Sequence, residues 1–283
     1  MWLAAACMAA WMATGAVALG AEARPPAPAP AGFRFVHLSD SHCAHAAENP
    51  PLRFPFDPHR KDLVRSFELL EAAVRQINEQ VRPDFVVFTG DVVDRGNDVR
   101  SLRRAKSILE RLTCPWHVVI GDHDSREAWA QVFGPGRRNY TFRHGGWRFV
   151  AVDSSPGRVD AGSLAWLRRE LAAETTGPTA LLIHRPLVLP KGYALAADAL
   201  YRTRLLLDNA AEVRRLVAQH PAVRAVFAGH CHVPIQWRSG RVAHFVAPAL
   251  VAFGHHFAVV EVRGRAVRAT YHRVGAKPVR GGK

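Results

Sequence analysis

Aspartate and histidine recur together in five short clusters along the chain: Asp40-Ser41-His42, Gly90-Asp91-Val92-Val93-Asp94-Arg95, Gly121-Asp122-His123-Asp124, His184-Arg185-Pro186 and Gly229-His230-Cys231-His232. Carboxylate and imidazole donors suit divalent transition metals such as Mn, Fe and Zn. Taken singly, each cluster has an ordinary explanation. A Gly-Asp pair tolerates turn geometry, an isolated Asp-x-His is a common turn, and a lone His is a frequent core residue. What sets these apart is that each one follows directly on an apolar, strand-like run.

Those runs define the elements that must position the clusters. Phe33-Arg34-Phe35-Val36-His37-Leu38-Ser39 is a β-prone stretch, and 84–89 is too apolar to face water on either side, as in a covered parallel sheet. Further strands are predicted at 116–120, 179–183 and 223–228, with a hairpin of 138–142 and 147–153 around His144-Gly145-Gly146. Between them, Leu63, Phe67, Leu70, Val74 and Ile77 recur at helical spacing, and helices are also predicted near 98–111, 163–171 and 209–219. The last opens on a capping-box spacing, Asn209 to Glu212. Short strands fill 235–273. In alternating α/β sheets, ligands sit beyond the carboxyl ends of strands, so the five clusters should converge.

Composition narrows the setting. The 283 residues are 48% hydrophobic and 22% charged, an ordinary globular balance that excludes a disordered or fibrous chain. Four cysteines exclude a disulfide scaffold. Lys and Arg number 38 against 24 Asp and Glu, a formal charge of +14 that favours anionic partners. Only five of those cations are Lys, and they are scattered, so a dedicated nucleic-acid surface is the lesser reading. Residues 1–23 begin with an uncharged Ala-rich stretch and read as a signal peptide or N-terminal anchor, although no basic residue precedes the apolar run. The expectation is export, with a membrane association only if that segment is uncleaved. A Pro-rich linker at 24–32, one domain over 33–275 and a tail at 276–283 complete the expected organisation.

The ordered set resembles the calcineurin-like metallophosphoesterase superfamily, in particular its secreted and cyclic-nucleotide-phosphodiesterase-like branches. That family shows D-x-H, GD-x-x-D, GN-H-D/E, a later H and GH-x-H in this order at strand ends. The resemblance implies an α/β fold, a four-layer αββα sandwich of two mixed β-sheets flanked by helices. It implies two divalent transition-metal ions: Asp40, His42 and His232 for the first, Asp122, His184 and His230 for the second, and Asp91 between them through its two oxygens. A hydroxide shared by the ions would then attack a phosphate mono- or diester. His123 matches the family's non-ligand histidine, which contacts phosphate and protonates the leaving oxygen; Asp94 matches the acid that orients it. Arg95 matches a phosphate-binding arginine, and reads equally well as a solvated turn residue.

Other readings stay open at this point: a basic nuclease or nucleic-acid-binding protein, or a non-catalytic metal-binding domain of the same fold. The substrate class is a phosphorylated small molecule or lipid, with a cyclic-nucleotide-type diester favoured by analogy; residues 43–60 and 186–206 are the expected rim of the cleft. Cys43 and Cys231 flank two histidines assigned to one metal, so a disulfide between them stands beside the reading of two small packed residues. One position departs from the pattern: Asp122 stands where the family has Asn. Either the added charge tightens metal binding and admits a trivalent iron, or the carboxylate behaves like the amide it replaces.

Overall fold

The computed structural model describes residues 32–45, 60–173, 177–191, 193, 204–252 and 254–275. The expected leader, the tail, almost all of the linker and much of the two rim segments lie outside the described residues. Among the described residues no helix is long and apolar enough to cross a membrane.

Among the described residues eleven strands form two sheets. In chain order they are β1 (Phe33–Leu38), β2 (Phe85–Phe88), β3 (Trp116–Val118), β4 (Tyr140–His144), β5 (Trp147–Ala151), β6 (Thr179–Leu182), β7 (Val223–Ala228), β8 (Ile235–Ser239), β9 (Val242–Val246), β10 (His256–Arg263) and β11 (Ala266–Arg273). The first sheet has the order β11-β10-β1-β2-β3 and the second β4-β5-β6-β7-β9-β8. Both are mixed. β1, β2 and β3 run parallel, as do β5, β6, β7 and β9, while β10 returns antiparallel beside β1. Among the described residues five α-helices cover the outside: α1 (Ser66–Gln76), α2 (Val99–Leu109), α3 (Arg126–Phe133), α4 (Ala161–Ala173) and α5 (Ala210–Gln219).

The period of two along each strand builds the layers. Phe35, Phe85, Val87, Phe149, Leu182 and Phe227 point between the sheets into one shared core. Their neighbours Val36, Leu38, Val86 and Phe88 point the other way, onto Leu70, Val74, Leu102, Ile108 and Trp129 of α1, α2 and α3. On the second sheet Val150, Leu181 and Val226 face Leu167, Val213 and Leu216 of α4 and α5. The result is the expected helix–sheet–sheet–helix sandwich. Strands this apolar on both faces need cover on both faces, which is why 84–89 could be assigned to a covered sheet.

Three local expectations are adjusted. A helix at 126–133 was not foreseen; Ser125 caps it by accepting from Ala128 N at 3.1 Å. The capping box at Asn209 does not form. Instead its amide bonds both Val159 N (3.1 Å) and Val159 O (2.9 Å), pinning the start of α5 to the loop after β5. Cys43, Cys114 and Cys231 are free thiols. Cys43 packs under α1 and α2, whereas Cys231 packs in the core of α4 and α5, so the packed reading holds and the disulfide does not. Burial pushes the Cys43 thiol up to about 12, which leaves it unreactive.

Candidate metal centre

All five clusters meet at the carboxyl ends of parallel strands: Asp40 and His42 after β1, Asp91 and Asp94 after β2, Asp122 and His123 after β3, His184 after β6, and His230 and His232 after β7. Main-chain hydrogen bonds sew the loops together. Asp40 N donates to Gly90 O (3.0 Å), His42 N to Asp91 O (3.0 Å) and Gly229 N to His184 O (2.9 Å), the last two loops belonging to the second sheet. The site therefore straddles the two sheets rather than sitting on either.

The backbone here is held in an uncommon conformation. Seven non-glycine residues have positive φ among the described residues, and five of them are Asp40, His42, Asp91, His230 and His232. Left-handed backbone is costly for such side chains and persists only where the surroundings enforce it. Two glycines permit the crowding. A Cβ at Gly121 would collide with Asp91 N and its carboxylate, and a Cβ at Gly229 would collide with Ser39 Oγ and lie 2.6 Å from Asp40 Oδ2.

Two main donor groups result, Asp40–His42–His232 and Asp91–Asp122–His184–His230, and a third, His42–Asp91–His123, shares a member with each; in every group the ligand atoms lie within 4.8 Å of one another. Asp91 stands between them: Oδ2 lies 3.6 Å from His42 Nε2 and 3.3 Å from His184 Nε2. Its Oδ1 is occupied by His123 N at 2.9 Å, so one oxygen rather than two faces both groups. The tautomers follow from carbonyl partners, which only accept. His184 Nδ1 donates to Thr89 O (2.7 Å) and His230 Nε2 to Arg204 O (2.9 Å), turning His184 Nε2 and His230 Nδ1 inward. Asp40 is aimed by His230 N, 3.2 and 3.1 Å from its two oxygens.

The donor set fits metal ions on its own chemistry. Asp122 Oδ1 and His184 Nε2 are buried, stand 2.7 Å apart, and have no hydrogen-bond partner. Two buried ligand atoms that converge on one point without a well-formed hydrogen bond are satisfied by a cation at that point. The field agrees. Burial alone would raise the Asp40 carboxyl, yet its histidine neighbours hold it down to about 2, and Asp91 and Asp122 are likewise held low. Burial should lower His184, but Asp91 and Asp122 draw it well above its ordinary value. Burial, then Lys61, push His42 down to about 4, which keeps its lone pair available. The cluster demands positive charge at its centre.

The remaining site residues lie around this centre. The His123 ring is 4.7 Å from that of His42, and its Nδ1 lies 2.7 Å from the main-chain oxygen of Asp94. The Asp94 carboxylate is 3.9 Å from His123 Nδ1; it accepts from Lys61 Nζ at 2.9 Å and stands 3.3 Å from His42 Nδ1. The orienting role read for Asp94 thus falls on its carbonyl. Arg95 is exposed on the same loop and joins neither donor group. His37, His117 and His244 stand apart from both groups; burial pushes His37 down to about 3. Lys61, Asp124 and Arg185 were missed as site residues. Asp124 is buried and accepts from Val92 N, Val93 N and Gly121 N at 3.3, 3.1 and 2.9 Å, locking the β2 and β3 loops together. No sequence spacing signals Lys61, whose partner is 33 residues away; Asp124 and Arg185 at least lie within the strand-end clusters.

Residues 33–234, which hold all the donor groups together with Lys61, Asp94, Arg95, His123, Asp124 and Arg185, match the sequence profile of calcineurin-like phosphoesterases. The chain belongs to that family. Among its relatives is a probable cyclic nucleotide phosphodiesterase of Rhodopseudomonas palustris, 32% identical over 79% of this chain and 83% of that protein. A probable cyclic nucleotide phosphodiesterase of Synechococcus is 32% identical over 57% of this chain and 62% of its own length, so the match spans less than two thirds of that relative. Among solved structures, a dimetal phosphatase from Danio rerio shares the fold with a TM-score of 0.65 at 18% identity, covering 86% of this chain and 99% of the other. All five strand-end clusters, including Gly121–Asp124 and His184, are needed to supply the two donor groups.

Proposed function

We propose that this protein is a metal-dependent phosphodiesterase acting on a small phosphate diester, with a cyclic nucleotide as the favoured substrate. The observation that carries this reading is Asp91 Oδ2, flanked at 3.6 and 3.3 Å by His42 and His184, with a complete donor group on each side. Asp40, His42 and His232 would hold one ion and Asp122, His184 and His230 the second, with Asp91 placed to serve both. The names of the relatives favour a diester over a monoester.

Ions held there would supply positive charge against the phosphate oxygens and lower the pKa of water. The chain's own residues do the rest. Strained ligand backbone and carbonyl-fixed imidazoles hold every donor at its place before substrate arrives, so little reorganisation accompanies the reaction. His123, tied at Nδ1 to the Asp94 carbonyl, presents Nε2 to the leaving oxygen and donates the proton. Lys61 neutralises Asp94 beside it.

The test is hydrolysis of bis(p-nitrophenyl) phosphate against p-nitrophenyl phosphate, and of 3′,5′-cyclic AMP against a glycerophosphodiester, with Mn²⁺, Zn²⁺ and Fe²⁺ supplied in turn to metal-stripped protein. Diesters should be cleaved faster than the monoester and only with metal present. Turnover of the monoester alone, or of nothing with any metal, would reject the reading.

A further inference from the structure

Asp122 divides its oxygens between two partners. Oδ1 faces the second donor group, 2.7 Å from His184 Nε2 and 3.1 Å from His230 Nδ1. Oδ2 accepts a hydrogen bond from Arg185 Nη2 at 2.8 Å. Both side chains are 16% exposed, so the pair is largely shielded from water and salt. Arg185 cannot easily leave. Its Nη1 is 3.9 Å from Asp208 Oδ1, and it lies against Gly157, where an added Cβ would stand 3.3 Å from Nη1. Since Arg185 follows His184 directly, the end of β6 delivers one ligand and, one residue later, the cation that grips another.

We propose that Arg185 is a positioning residue that makes Asp122 behave as a neutral, single-oxygen ligand; the proposal rests on the metal-centre reading above. A free carboxylate can chelate an ion through both oxygens. With Oδ2 committed to the guanidinium, only Oδ1 is presented. The guanidinium also returns the positive charge that the carboxylate removes. Asp40, Asp91 and Asp122 bring three negative charges to the two sites; with Arg185 the sum is minus two, the value a neutral amide at position 122 would give. Planar, permanently charged arginine suits this better than lysine, because it holds one carboxylate oxygen in a fixed direction. The departure from Asn at 122 is thereby electrostatically silent, and the expected preference for trivalent iron does not arise from it.

The pair also predicts that Asp122→Asn alone is not neutral. With its oxygen kept toward the metal, the new amide would point its NH₂ at Arg185, donor against donor. Arg185→Gln in the same chain removes the surplus charge and supplies an acceptor.

The experiment is Mn²⁺ titration calorimetry on metal-stripped protein, resolving the two sites, for the native chain, Asp122→Asn, Arg185→Gln, Arg185→Lys and the Asp122→Asn/Arg185→Gln double variant. Asp122→Asn should weaken one site about tenfold, and Arg185→Gln should tighten the same site by a similar factor. The double variant should return to within about threefold of native, and so should Arg185→Lys, which keeps the charge. An unchanged affinity in Arg185→Gln, a Lys variant that behaves like Gln, or a double variant no better than Asp122→Asn would overturn the proposal while leaving the metal centre standing. A native chain that fails to bind two ions would overturn the metal-centre reading itself, and this proposal with it.

Discussion

His123 is held by the main-chain carbonyl of Asp94, 2.7 Å from Nδ1, and not by the Asp94 carboxylate, which is 3.9 Å away and engaged with Lys61. The two residues should therefore separate on mutation. His123→Ala removes the proton donor but no member of the two main donor groups, so metal content should stay near native while the rate falls on the order of 10²–10⁴. The loss should shrink for substrates with an activated leaving group, which need little protonation. Asp94→Asn keeps the carbonyl, so its rate should fall by less than about tenfold. Metal analysis alongside kinetics checks both, and a halved metal content in His123→Ala would make that residue a ligand.

His230 and His232 carry the opposite expectation. Each presents a ring nitrogen to a different donor group, and no other described side chain stands ready to replace it. Alanine at either position should abolish turnover and remove about one ion per chain, with circular dichroism unchanged. Full activity in both variants would end the two-ion reading.

The five strand-end clusters, and with them the convergence of seven Asp and His side chains, were legible because metal-binding chemistry is carried by residue type and order. The layers were legible because strands apolar on both faces can only lie in covered sheets. What sequence did not reveal is set by contacts distant along the chain. Lys61 meets Asp94 only when the β1 and β2 loops come together, and Asn209 abandons its capping box for Val159, 50 residues away. Asp91 was expected to use both oxygens; only the fold shows that the His123 amide takes one. The helix at 126–133 escaped notice because it is two turns long and its capping serine follows the ligand cluster immediately.

Adding metal should stabilise the fold as well as activate it. Asp40, Asp91 and Asp122 crowd their charges into a buried site, and a cation that binds only the folded chain shifts the equilibrium by mass action. At one hundred times its Kd each ion contributes about 2.7 kcal/mol. For a domain of this size that corresponds to a rise in Tm of roughly 5–10 °C per site. Scanning calorimetry with chelator and then with Mn²⁺ or Zn²⁺ measures it; an unchanged Tm would argue against ions at this centre.

Acid should destabilise the chain through a residue remote from the metals. His244 is buried on β9 and stacked 4.8 Å from Trp237; burial, then the charge of Arg214, push it down to about 4. Above its ordinary value of 6.5 it is neutral in both states and its contribution is fully present. As pH falls from 6.5 to 4 the unfolded chain takes up a proton that the folded chain refuses, and up to about 3 kcal/mol is lost. His244→Phe should make the fall of denaturant-derived stability across that window shallower, the remainder coming from His37 and His117, measured against the native chain in chelator. An identical slope in both would show that His244 does not titrate on unfolding.

Gly229 offers the sharpest separation of fold from site. A methyl group there would collide with Ser39 Oγ, stand 3.1 Å from Ser39 Cβ, and lie 2.6 Å from Asp40 Oδ2, the oxygen that His230 N helps to aim. Gly229→Ala should therefore cost about 1–3 kcal/mol through overpacking and also push Asp40 off its ligand position. Ser39→Ala removes the hydroxyl and with it the closest contact, but leaves the Asp40 contact in place. The double variant should thus recover much of the stability lost by Gly229→Ala while its metal occupancy and activity stay low. Thermal melts paired with metal analysis distinguish the two effects. Recovery of stability and occupancy together would mean that Ser39 alone transmits the strain, and that Asp40 is not displaced directly.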